Sequence, residues 1–136
     1  MEERNLTYQD KFYLENGEFL PELNITYHTA GTLDEKQSNV VWICHALTAN
    51  SDAEDWWPGL VGNGKLYDPN KHFIVCANIL GSCYGTTGPL SKNGAKEEIY
   101  FRSFPSVTIR DMVNVHEILR SHLGITKIQT LIGGSV

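Results

Sequence analysis

The chain has 136 residues, 41% hydrophobic and 20% charged, proportions of a folded domain that exclude a disordered segment. Its net charge of −5 excludes a general phosphate-backbone binder, which needs a basic face, but leaves room for a local basic pocket. Cys44, Cys76 and Cys83 are odd in number and lack C-x-x-C spacing, so neither a disulfide framework nor a zinc ribbon is indicated, and a reducing cytoplasm fits. No basic n-region precedes an apolar run at the N-terminus, and no apolar window reaches the length of a membrane span. The expectation is one cytoplasmic domain with no nucleic-acid or membrane partner.

Lys11-Phe12-Tyr13-Leu14 and Leu23-Asn24-Ile25-Thr26-Tyr27-His28 alternate around Asn16-Gly17 and Pro21-Glu22. This predicts antiparallel, half-exposed strands, with His28 on the solvent face opposite Leu23, Ile25 and Tyr27. Ala30-Gly31-Thr32-Leu33-Asp34 then turns the chain. Val40-Val41-Trp42-Ile43-Cys44 and Phe73-Ile74-Val75-Cys76-Ala77 are apolar throughout, as in parallel strands covered on both faces. A parallel pair needs a crossover, and Trp56-Trp57-Pro58-Gly59 with Gly62-Asn63-Gly64-Lys65 suits a short helix and loops between them.

After Asn78 about thirty residues rich in Gly, Ser, Thr, Asn and Pro show no helical period, a length typical of functional connections. Thr108-Ile109-Arg110-Asp111 reads as a capping-box start. Ile109, Met112, His116, Leu119 and Leu123 form an apolar stripe, and Gly124 ends the helix. His116 reads as a buried histidine bonded to a carbonyl, and His72 and His122 as surface positions. Ile128, Leu131 and Ile132 then predict a buried strand that runs into Gly133-Gly134-Ser135-Val136.

Gly133-x-Ser135 is the first half of G-x-S-x-G, the strand-to-helix turn that lifts a serine above a parallel sheet. Alone, Gly-Gly-Ser after a strand is equally a flexible turn. Two antiparallel strands, then strand, crossover, strand, helix, strand and Gly-x-Ser, follow the element order of an α/β-hydrolase core up to its nucleophile elbow.

Four stretches carry a specific resemblance: Cys44-His45-Ala46-Leu47-Thr48, Asn78 to Pro89, Phe104-Pro105-Ser106-Val107-Thr108-Ile109-Arg110-Asp111-Met112-Val113, and Gly133-Gly134-Ser135. Together they resemble the homoserine O-acetyltransferase family from about Gly17 onward, apart from Val136, where methionine is more usual. The resemblance implies a partial α/β-hydrolase domain over residues 1–136, ending at the nucleophile elbow. It also implies acetyl transfer from acetyl-CoA to the hydroxyl of L-homoserine, a step toward methionine. Acetyl-CoA is then a cosubstrate, with no tightly bound cofactor, and the assembly a homodimer.

On this reading Ser135 is the nucleophile, and the backbone N–H groups of Leu47 and Val136 form the oxyanion hole. Thr48 and Asn50 line the substrate pocket at the carboxyl ends of the strands. The catalytic acid and histidine follow the serine in this chain order and lie outside the sequence. His45 belongs to the oxyanion loop and is not the base. The expectation is that residues 1–136 alone are inactive and poorly folded, and need a complementing C-terminal piece.

Other readings stay open. A homoserine or serine O-succinyltransferase shares the mechanism, and a hydrolase differs only by admitting water to the acyl-enzyme. A non-catalytic interaction module or inactive fragment is the alternative of another class. A metal site from Cys44, His45, Cys76 and Cys83 is not expected, because Cys44 and Cys76 fall inside apolar strands as small hydrophobes.

Overall fold

The computed structural model describes residues 1–135. Two compact units emerge, one from residues 1–4, 27–77 and 120 onward, the other from residues 5–26 and 78–119. Leading strands are β1 (Glu2–Tyr8), the short pair β2 (Phe12–Tyr13) and β3 (Phe19–Leu20), β4 (Leu23–Ala30) and β5 (Val40–Cys44). Helix α1 (Ala53–Trp56), β6 (Phe73–Ala77), the short pair β7 (Lys92–Asn93) and β8 (Glu98–Ile99), helix α2 (Ile109–His122) and β9 (Thr130–Gly133) follow. The main sheet has the order β1-β4-β6-β5-β9.

In the first unit, β5 pairs parallel to β6, Val41 opposite Ile74, and parallel to β9, Ile43 opposite Ile132. The β5–β6 pairing matches the sequence reading, and β5 and β6 have the predicted ends. Val41, Ile43, Ile74 and Cys76 are buried with Ala53, Val61 and Tyr67, while Trp56, Trp57 and Ile132 pack on them from the rim. Each fully buried aliphatic side chain contributes about 1.5–3 kcal/mol relative to exposure, so β5 and β6, each buried at four positions, anchor this unit. Helix α2 ends as expected: Gly124 has φ +68°, its N–H donates to the Ser121 carbonyl, and the Ile125 N–H donates to the Arg120 carbonyl.

Within the second unit, β2 and β3 form a hairpin with Phe12 opposite Leu20. The 78–89 connection is pinned by side chains that imitate a strand ladder. The Thr26 N–H donates to Thr86 Oγ1 at 3.0 Å and the Asn24 N–H to Thr87 Oγ1 at 2.8 Å. Buried Asn78 donates from Nδ2 to the carbonyls of Thr26 and Tyr84. At the start of α2 the capping box is present: the Asp111 N–H donates to Thr108 Oγ1 and the Thr108 N–H to Asp111 Oδ2.

Several expectations are corrected. β1 was not anticipated, because its charged residues conceal an edge strand. The 11–14 segment pairs with β3 rather than with the 23–28 strand, since the intervening Asn16-Gly17 turn closes a tighter hairpin. β4 is buried at five of its eight positions, and its Tyr27 to Ala30 stretch pairs antiparallel to β6. His28 is consequently half-buried and not solvated. On α2 the buried line is Asp111, Val115 and Leu119, with Ile109 62% exposed. Asp111 is drawn in because its carboxylate accepts the backbone N–H groups of both Thr108 and Glu15. β9 is half-exposed and not fully buried among the described residues, where β5 borders it and Leu131 is 67% exposed.

Candidate active site

The parallel register places Cys44 of β5 opposite Gly133 of β9. The two strands therefore end level, and the loop leaving β5 emerges beside the turn leaving β9. Gly133 eases a close approach there: a Cβ at this position would lie 3.0 Å from both Cys44 Cβ and the Cys44 carbonyl oxygen. Among the described residues nothing lies within 4 Å of a Cβ placed at Gly134. Ser135 follows with φ +59°, a left-handed conformation that costs a non-glycine residue about 1–2 kcal/mol. Strain of this kind concentrates at functional turns, and it is what a nucleophile elbow demands of its serine.

The loop after β5 faces this turn. The Leu47 N–H donates to the Ser135 carbonyl at 3.2 Å, and the Ala49 N–H to the Ala46 carbonyl at 2.9 Å. His45 is fully buried, with Nδ1 2.8 Å from the Ala46 carbonyl. A carbonyl only accepts, so Nδ1 carries the proton. Burial lowers the His45 pKa from its ordinary 6.5, and the bond to Ala46 partly opposes that shift. His45 is thus held neutral, with its ring tied to the loop's own backbone.

Leu47 is exposed, as is Thr48, which leaves both free to meet a ligand. Asn50 is differently placed: its Oδ1 accepts the Asp52 N–H and its carbonyl accepts Trp56 Nε1. These bonds make it a loop-shaping residue first. Val136 lies outside the described residues, so the structure brings together only Leu47 and Ser135 of the three candidate residues for acyl transfer. The sequence reading missed Ser51, fully buried, whose Oγ lies 2.8 Å from His28 Nδ1. Twenty-three positions separate the two, and no motif signals the pairing.

Cys44 and Cys76 behave as small hydrophobes. Burial raises the Cys44 pKa, and burial together with Cys44 raises that of Cys76. Cys83 is exposed, and no three metal-ligating side chains cluster among the described residues.

A homoserine O-acetyltransferase from Chlorobaculum parvum is 52% identical over 127 residues, 93% of this chain and 36% of the relative. Over most of its length the chain is homologous to the N-terminal part of homoserine O-acetyltransferases, at about 50% identity. It spans about 36% of the length of the curated relatives it matches. The crystal structure of homoserine O-acetyltransferase from Bacillus anthracis superimposes with a TM-score of 0.88 at 31% identity, covering 98% of this chain and 40% of that one. Esterase E22 gives a TM-score of 0.86, also at 31% identity and with the same coverage. No family model matches. Homoserine O-acetyltransferases are acyltransferases, and this chain has the fold of the N-terminal part of an α/β-hydrolase.

Proposed function

We propose that the polypeptide carrying this sequence transfers an acetyl group from acetyl-CoA to L-homoserine, a cytoplasmic step toward methionine. The strained Ser135 at the end of β9, within reach of the Leu47 N–H, carries the reading. Ser135 Oγ attacks the thioester carbonyl, the C–S bond breaks, and CoA leaves as the thiol with the serine's proton. The homoserine hydroxyl then attacks the acyl-serine ester, the O-acetyl product forms, and Oγ regains a proton. A histidine and an orienting acid, both after Ser135 in the chain order of this scaffold, relay the protons.

Each half-reaction builds an oxyanion that needs preorganised donors. The Leu47 N–H is one, and the N–H of Val136 is assigned the second place. In a strand-to-helix turn the Ser135 carbonyl accepts a bond from the helix that follows, which frees the Leu47 N–H for the oxyanion. Thr48 contacts substrate, whereas Asn50 acts through the loop it shapes. The likeness to esterase E22 supports a second reading, in which water replaces homoserine as acceptor on the same acyl-enzyme.

Intact mass under denaturing conditions tests the reading on the full-length polypeptide. Acetyl-CoA should add one acetyl group, lost in Ser135→Ala and discharged by homoserine faster than by water. Discharge by water alone favours the esterase. Acceptance of succinyl-CoA in place of acetyl-CoA identifies the succinyltransferase, and unchanged turnover by Ser135→Ala overturns the assignment of the nucleophile.

A further inference from the structure

The loop between β5 and α1 has to hold one backbone N–H, that of Leu47, at a fixed height beside Ser135. Its near end is tied by His45 to the Ala46 carbonyl. Its far end is tied differently. Ser51 closes the loop as a fully buried residue with its Oγ 2.8 Å from Nδ1 of half-buried His28. Loss of the imidazole removes that bond from a buried hydroxyl, at a cost in free energy. His28 sits on β4, opposite Cys76 of β6. Since β6 lies between β4 and β5, the bond spans the middle strand and braces the loop from a strand two places away.

The rest of the far end is local. Asn50 Oδ1 accepts the Asp52 N–H, and Trp56 Nε1 donates to the Asn50 carbonyl. Those contacts shape the loop but bond it to nothing in the sheet. The His28 contact bonds the loop to β4 of the sheet. We infer that His28 is a positioning residue for acyl transfer: through Ser51 it sets where the Leu47 N–H stands relative to Ser135. The inference rests on the proposed oxyanion role of Leu47.

The test uses the full-length enzyme and reads kcat and KM per active site, with sites counted by the amount of acetyl-enzyme formed. His28→Ala should lower kcat about ten- to a hundredfold, the scale expected when a catalytic group is displaced by about an ångström. KM for homoserine should stay within about twofold, because His28 touches no substrate in the proposal. His28→Asn keeps a polar amide near the Nδ1 position and should restore most of the rate, whereas His28→Gln places its amide near Nε2 and should not. Ser51→Ala should reproduce the His28→Ala loss, and the double variant should be no slower than either single one.

A kcat per site within twofold of the parent in His28→Ala overturns the inference. So do additive losses in the double variant. Where His28→Ala does not fold, the Asn and Gln variants decide, and equal kcat in the two overturns it. Ser135→Ala, run in parallel, separates the failures: persistent turnover there sinks the nucleophile assignment, whereas its loss alongside an unaffected His28→Ala sinks only the role of His28.

Discussion

The backbone N–H of Leu47 points at the carbonyl oxygen of Ser135 from 3.2 Å. Eighty-eight positions apart in the sequence, counted as 135 minus 47, the two meet because β5 and β9 run parallel with Cys44 opposite Gly133. Replacing Leu47 by proline removes this N–H. The expected result in the full-length enzyme is a fall in kcat of about a hundred- to a thousandfold, with Leu47→Ala close to the parent because its N–H remains. Rapid-quench measurement of acetyl-enzyme formation checks this. Equal rates for the proline and alanine variants would remove Leu47 from the oxyanion hole.

Gly133→Ala presses a methyl group to 3.0 Å from Cys44 Cβ and the Cys44 carbonyl. Either β9 shifts by a few tenths of an ångström or the elbow turns, and overpacking of this kind costs about 1–3 kcal/mol. Urea denaturation should show a lower midpoint, and acyl transfer should fall with it. Cys44→Ala in the Gly133→Ala background removes the sulfur and leaves Cβ in place, so it should not restore stability.

His45 gives a pH dependence whose sign follows from its burial. Its pKa is lowered from 6.5 in the folded chain, so on acidification the unfolded chain takes up a proton before the folded chain does. The contribution of neutral His45 is fully present above pH 6.5 and is lost as pH falls through the folded value. Thermal unfolding of the parent should therefore drop more steeply below pH 6.5 than that of His45→Gln. Parallel pH profiles for the two proteins would refute it.

Gln37 fastens the approach to β9. Its Nε2 donates to the Gly124 carbonyl at 2.8 Å, and its Oε1 accepts the Thr126 N–H at 2.7 Å and the Thr126 hydroxyl at 2.8 Å. Gln37→Ala should cost about 1–2 kcal/mol, since three bonds are lost but water replaces part of them at this exposed site. Hydrogen exchange should quicken at the Thr126 amide while the amides of β6 keep their protection.

Thiol accessibility separates the three cysteines. Cys83 is exposed, Cys44 half-buried and Cys76 buried, and burial holds the last two in the unreactive thiol form. Peptide mapping after brief treatment with a thiol reagent at neutral pH should find Cys83 modified first and Cys76 last. Modification of Cys76 before Cys83 would contradict the packing of β6.

The sequence by itself determined the parallel core and the serine that follows it. Val40 to Cys44 and Phe73 to Ala77 are apolar at every position, and continuous apolarity leaves a short segment little choice but a strand covered on both faces. The start and end of α2 were legible for a similar reason, since Thr108, Asp111 and Gly124 act on backbone groups within a few residues of themselves. Only the tertiary structure decided the partners. The pairing of β4 with β6, that of β5 with β9, the burial of Asp111 and the bond between His28 and Ser51 all depend on segments distant in sequence. Composition and periodicity report which face of an element is apolar, but a polar side chain is satisfied by whichever donor or acceptor the fold brings to it, and that choice is made in space.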